Sequence, residues 1–262
     1  MIASFFQHLE AASARYLLIS GQATILYGAA SFSEDVDLWV DPDRNNLEAF
    51  LGVLRQSRAR YYKLTPPLTE AHARRGHGFH FVLPGESGDS ETYLDVLGRP
   101  PRVGSYESAL ADARTFDTDW GRIPTIGIRP LVEVKKTQRA EDYPVISRLV
   151  LRLLEDTTPD AAALRWALEN LMTVGALAEL FRTHDAALDA HRLPLAELLT
   201  RHRDELRGGS TLSESAEDEI DAWLGERIAK HRKADRRYWR PIIDELRELR
   251  RAGQLMPEGT AV

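Results

Sequence analysis

The sequence predicts an α/β (α+β) fold in which a mixed sheet with flanking helices is followed by an all-helical C-terminal domain. Up to about residue 140, short apolar runs rich in strand-forming residues alternate with amphipathic stretches. Turn residues such as Gly, Pro and Asp separate these segments. Beyond that point the apolar residues recur at helical spacing only. We therefore expect one domain over residues 1–140 and a helical domain over residues 141–262.

The apolar pattern places the N-terminal elements in order. A first amphipathic helix puts Phe5, Leu9 and Ala12 on one face. Pro130 is expected to open a basic helix, since proline is accepted in a first helical turn. Two further helices are predicted over residues 23–27 and 45–56, and a loop of Gly, Ser and Asp over 84–90. Strands are predicted over residues 15–20, 34–40, 60–64, 79–83, 92–97 and 123–128.

The C-terminal region carries clear helix start signals. Thr157 and Thr211 each begin a run that favours helix capping. A long charged helical region is predicted from Ser213 to about Arg251, and Pro241 is expected to divide it.

Composition narrows the class of protein. The 262 residues include no cysteine, which excludes disulfides and thiolate metal sites. The net charge of −6 argues against a surface that is basic throughout, as general nucleic-acid binding would require. Charged residues interrupt the most apolar stretch, residues 161–181, so we expect no membrane association. No secretory signal is evident, and the expected location is the cytoplasm.

Two aspartates on one predicted strand give the first indication of chemistry. Asp35 and Asp37 are two residues apart, so on a strand their side chains would point to the same face. Adjacent carboxylates raise each other's pKa unless a cation lies between them. Hard divalent cations such as Mg²⁺ prefer oxygen ligands and often bridge to substrate phosphates. The pair therefore predicts a metal-dependent phosphoryl or nucleotidyl transfer site.

A glycine turn precedes this pair at a characteristic distance. Ser20-Gly21-Gln22 is followed about a dozen residues later by Asp35-Val36-Asp37-Leu38. This arrangement resembles the nucleotidyltransferase superfamily, which has the DNA polymerase beta-like fold. Within it, Tyr27-Gly28 and the segment around the acidic pair look most like a small bacterial branch that includes AbiE-type abortive-infection toxins. The resemblance covers roughly the first 145 residues.

The resemblance implies an activity and the residues for it. The chain would move a nucleoside monophosphate from a nucleoside triphosphate to a hydroxyl on RNA or tRNA, a protein or a small molecule. Two Mg²⁺ or Mn²⁺ ions would be held by Asp35, Asp37 and a third carboxylate on a later strand, for which Asp95 is the candidate. The implied nucleotide-binding residues are Ser20, Gly21, Gln22, Ser33, Lys135, Lys136 and Arg139. Backbone N–H groups near Gly21 would cradle the phosphates, and the three basic residues belong to the expected helix over 131–139.

Several interpretations remain open. Gln22 replaces the usual Gly or Ser, and Ser31 stands where this branch often has arginine, which favours the alternative of a weak or inactive binding module with a protein partner. A toxin acting on cellular RNA, with an antitoxin partner, is a third interpretation. His80 lies on a strand expected next to Asp95 and is either a loop-adjacent structural residue or faces the substrate. The basic and aromatic run over residues 227–240 is either a nucleic-acid surface or a salt-bridged face.

Overall fold

The computed structural model describes residues 2–85, 91–155, 158–208 and 212–262. Within these ranges the strands are β1 (Tyr16–Ile19), β2 (Val36–Val40), β3 (Arg60–Tyr61), β4 (Gly78–Leu83), β5 (Thr92–Leu97), β6 (Arg114–Thr118) and β7 (Gly121–Thr125). The helices are α1 (Ile2–Ala11), α2 (Ser20–Leu26), α3 (Arg44–Gln56), α4 (Glu70–Arg75), α5 (Tyr106–Ala111), α6 (Ile128–Lys135), α7 (Asp142–Glu155), α8 (Ala161–Asn170), α9 (Val174–Ala190), α10 (Glu197–Arg201), α11 (Arg203–Arg207) and α12 (Glu214–Arg251).

The strands form one mixed sheet in the order β3-β4-β5-β2-β1-β7-β6. β2 pairs with β5, and β1 with β7, in parallel, whereas the other neighbours are antiparallel. The parallel pairs need crossover connections, which place helices against the sheet. The predicted fold class, a mixed sheet with flanking helices followed by a helical C-terminal region, is confirmed.

The buried side chains of the central strands alternate as a half-buried sheet requires. Leu94 and Val96 on β5 are fully buried, whereas the residues between and around them are more exposed. On β4, Phe79 and Phe81 are buried in the same way. The other set of positions on these strands is therefore left for polar side chains.

The described residues divide into two compact units. The sheet unit comprises Met1–Leu26, Ala30–Val134 and Arg237–Val262, and the helical unit comprises Tyr27–Ala29 and Lys135–Arg236. The last residues of the chain belong to the sheet unit because the C-terminal segment pairs with the β3 edge, where the Tyr61 N–H donates to the Thr260 carbonyl at 2.9 Å. The division into domains 1–140 and 141–262 stays a prediction.

Several local predictions need correction. β6 was not predicted, because its side chains are largely exposed and lack a run of apolar residues. Pro241 does not end α12, which continues through it to Arg251. The capped starts of the later helices lie at Asp160 and Ser213, whose side chains accept from the N–H groups of Ala163 and Ala216. The predicted starts at Thr157 and Thr211, and residues 86–90 of the predicted loop, lie outside the described residues.

None of the helices in the described ranges combines the length and hydropathy needed to cross a bilayer.

Candidate functional site

The register of the sheet brings three predicted or suspected site residues into one row. Asp37 on β2 lies opposite Asp95 on the parallel strand β5. Asp95 in turn lies opposite His80 on β4. Directly opposed residues point to the same face, and neighbouring strands are about 4.8 Å apart. Asp37, Asp95 and His80, which we call the carboxylate row, therefore project together from the less buried face of the central strands.

His80 is bonded to Asp95 within this row. Its Nδ1 lies 2.7 Å from Oδ1 of Asp95, and the two side chains are 26% and 27% exposed. An ionised carboxylate can only accept, so Nδ1 is the donor in this bond. The imidazole lies over Gly78, where a Cβ would come within 3.3 Å of His80 Nε2. The His80 N–H also donates to the hydroxyl of the buried Thr65 at 3.1 Å. These contacts fix the ring beside Asp95.

Asp35 lies outside the strand on which it was predicted. β2 begins at Val36, and Asp35 occupies a bend immediately before it. Among the described residues, no group of three or more His, Cys, Asp or Glu side chains is placed to hold a metal ion. The structure thus sets Asp37 beside Asp95, and the role of Asp35 as a bridging ligand stays a prediction.

The donor set nevertheless fits one kind of metal site. Mg²⁺ commonly binds through one or two carboxylates and takes its other oxygens from water and substrate phosphates. The facing carboxylates of Asp37 and Asp95 meet that requirement, whereas they do not form a closed cage on the protein alone. Binding of a cation by the row, together with a phosphate-bearing substrate, stays a prediction.

The glycine turn differs from the predicted geometry. The left-handed backbone falls on Ser20, with φ 57°, and α2 starts there. Gly21 is required for another reason, because a Cβ at this position would lie 2.1 Å from Ser33 Oγ. Gln22 Nε2 donates to the Ser33 carbonyl at 2.9 Å. Gln22 and Gly21 therefore hold the segment that leads into Asp35 against α2.

The basic segment is not one continuous helix. α6 ends at Lys135, so Lys136 and Arg139 follow it rather than belong to it. Lys135 Nζ lies 3.0 Å from Asp142 Oδ1, and Arg139 Nε lies 3.2 Å from Oδ2 of the same residue. Their shared partner draws the chain into a turn, and the Thr137 hydroxyl donates to it as well. We call Asp142 with these three partners the Asp142 cluster.

This cluster changes how the basic residues are understood. The side chains of Lys135 and Asp142 are only 8% and 4% exposed, so the ammonium is committed to a buried ion pair. Lys136 is also buried. These residues belong to the helical unit and the three aspartates to the sheet unit. A role of Lys135, Lys136 and Arg139 in binding nucleotide stays a prediction.

The solved structures that are similar to this chain include two from Helicobacter pylori. JHP933 is 14% identical, with a TM-score of 0.36, over 92% of this chain and 93% of that one. A protein named "putative nucleotidyltransferase" is 15% identical, with a TM-score of 0.36, over 89% of this chain and 92% of that one. Similarity this low does not by itself support a function. No protein-family profile matches the sequence, and no curated protein matches it.

Proposed function

We propose that this protein is a metal-dependent nucleotidyltransferase that moves a nucleoside monophosphate from a nucleoside triphosphate to a hydroxyl acceptor. The observation that carries the proposal is the register pairing of Asp37 with Asp95. Two partly exposed carboxylates at one position of adjacent strands supply oxygen ligands of the kind that Mg²⁺ binds together with substrate phosphates. Divalent cations that bind here would neutralise charge on the phosphates during transfer.

Each residue of the row would then have a separate role in the transfer. The acceptor hydroxyl attacks the α-phosphorus, a new P–O bond forms, and the bond to pyrophosphate breaks. Asp95 would orient the attacking hydroxyl and take up its proton, because His80 engages only one of its two oxygens. His80 would hold that carboxylate in a single orientation. Asp37 would position the phosphate-bearing side of the site, next to β1 and the turn at Gly21.

The first experiment is a thermal-shift titration with each nucleoside triphosphate, with and without Mg²⁺ or Mn²⁺. A ligand at 100 times its dissociation constant adds about 2.7 kcal/mol to stability. We expect a shift that needs both metal and nucleotide, and little shift with metal alone, because the protein supplies only part of the ligand set. Asp37→Asn should remove the shift. Asp117→Asn is the matched control, since Asp117 is an exposed strand aspartate of the same sheet.

One observation favours a second candidate function. Ser33 and Gln22 occupy the surroundings of Gly21, where the phosphates were predicted to bind. A weak or inactive relative that acts by binding a protein partner would keep the fold and show no shift with any triphosphate. That result would contradict nucleotidyl transfer and favour the binding module.

The finer proposal of a toxin that acts on cellular RNA in the cytoplasm has a separate test. Expression of the chain alone should arrest growth, and an antitoxin partner should relieve the arrest. Asp37→Ala should abolish it, because the toxin would use the same carboxylates. Arrest that survives this substitution would exclude the transferase as its cause.

A further inference from the structure

Two tyrosines lie beside the carboxylate row without any role in the proposed chemistry. Tyr93 is two residues before Asp95 on β5, so both side chains point to the same face. Tyr62 follows β3, and its N–H donates to the His80 carbonyl at 2.9 Å. This bond continues the pairing of β3 with β4, so Tyr62 lies opposite His80. The two rings meet with centroids 4.8 Å apart and an interplanar angle of 42°.

This aromatic pair is accessible and carries a cation. Tyr93 is 36% exposed, whereas its strand neighbour Leu94 is fully buried. The Lys63 ammonium lies 4.8 Å from the centroid of the Tyr62 ring. The backbone at Lys63 is left-handed, with φ 53°, a conformation that non-glycine residues rarely adopt and that tertiary structure must hold. One exposed and one partly exposed ring with an adjacent cation match the requirements for stacking bases and neutralising a phosphate.

The position of the two tyrosines in the sheet indicates that they would contact the acceptor rather than the nucleoside triphosphate. β1, with the turn at Gly21, lies on one side of β2, whereas β5, β4 and β3 lie on the other. The tyrosines are on the Asp95 side of the row, away from the turn assigned to the triphosphate. Tyr93 and Asp95 are two positions apart along β5, a distance of about 7 Å. A nucleoside can bridge that distance between a stacked base and a ribose hydroxyl at Asp95.

We propose that Tyr62 and Tyr93 form a stacking subsite for the terminal base of a single-stranded RNA acceptor, with Lys63 contacting its backbone. The proposal rests on the proposed nucleotidyl transfer and names the acceptor as RNA. Stacking accepts any base, because every base has a π-face, so the subsite selects a single-stranded end rather than a sequence. The base would hold the terminal hydroxyl against Asp95.

The test is fluorescence anisotropy of a labelled short single-stranded RNA, with chelator present and no nucleotide, so that binding is measured apart from catalysis. Tyr62→Leu and Tyr93→Leu should each weaken binding about 5- to 150-fold, the range for loss of a base–aromatic stack. Tyr62→Phe and Tyr93→Phe keep the rings and should bind within about twofold of the parent. Unfolding temperatures of all variants establish that each remains folded.

Two controls separate stacking from general attraction. An RNA of the same length that lacks its terminal base should bind more weakly to the parent and be insensitive to the leucine substitutions. Trp239→Leu changes an aromatic residue in the basic run of α12 and should leave RNA binding unchanged.

Four outcomes would overturn the proposal. The parent does not bind RNA, the leucine variants bind RNA as well as the parent, or the leucine substitutions weaken binding of the baseless RNA equally. The fourth is that the protein transfers nucleotide to a protein acceptor and not to RNA. If any of these occurs while the metal-dependent triphosphate shift persists, the subsite fails and the transferase stands. Tyrosine-dependent RNA binding without any triphosphate shift would contradict the transferase and would leave the two tyrosines as an RNA-binding surface without an acceptor role.

Discussion

The carboxylate row and the Asp142 cluster use similar residues in opposite ways. In the row, Asp95 is about a quarter exposed and its partner is the imidazole of His80. In the cluster, Asp142 is almost fully buried, and one ammonium, one guanidinium and one hydroxyl converge on it. A carboxylate whose bonding capacity is saturated inside the protein stabilises the fold, whereas one with a free oxygen near the surface is available to a ligand. Chemical type alone does not distinguish them.

Removing the charge of Asp142 should give the largest effect on stability. Asp142→Asn leaves the Lys135 ammonium buried without a counter-charge, and breaking such a pair costs about 3–5 kcal/mol. Urea unfolding measures the loss. Arg139→Ala is the control, since that side chain is 59% exposed and should contribute less than about 1 kcal/mol. A small loss of stability in Asp142→Asn would contradict this comparison. It would show that Lys135 does not depend on Asp142 as its counter-charge and is available to a phosphate.

Replacing His80 should affect ligand binding rather than folding. His80→Leu removes the donor that orients Asp95, and loss of such an orienting partner typically weakens metal affinity about 10- to 100-fold. We expect that loss in Mn²⁺-dependent nucleotide titrations followed by thermal shift. His80→Asn places an amide donor near the former Nδ1 and should restore most of the affinity. If the leucine and asparagine substitutions weaken nucleotide affinity equally, the hydrogen bond to Asp95 does not determine that affinity.

The smallest effect is expected at His77, a buried histidine that is bonded to Glu245, and it concerns how stability depends on pH. Burial lowers the pKa of His77, although the hydrogen bond and charge of Glu245 oppose the shift, and His72 and Arg75 also face the ring. The pKa of Glu245 is lowered because its contacts with His77 and Arg75 outweigh the raising effect of its own burial.

The sign of the pH dependence follows from these directions. As pH falls below about 6.5, the unfolded chain protonates His77 before the folded protein does, so stability decreases. The lowered pKa of Glu245 adds a further decrease at more acidic pH. Unfolding free energies measured between pH 7 and pH 5 should show a shallower slope in His77→Gln than in the parent. His191→Gln, at an exposed histidine, should keep the parent slope.

The sequence identified the parts of the site that depend on local pattern. Alternation of apolar residues located β4 and β5 almost to the residue, and with them the inward and outward sets of side chains. The spacing from Gly21 to Asp37 selected the acidic strand. Local pattern failed at Asp35, because the strand begins at Val36, two residues later than predicted, and at Lys135, where the helix ends early.

The local sequence pattern could not predict which strands pair or which charged side chains are buried. The sequence by itself determined the mixed fold class and supplied Asp37, Asp95 and His80 on strands, because periodicity is a property of neighbouring residues. Only the tertiary structure decided that these three share one row, that Tyr62 meets Tyr93, and that Asp142 binds Lys135. Each of those contacts depends on register or on burial, which are set by segments distant in the chain.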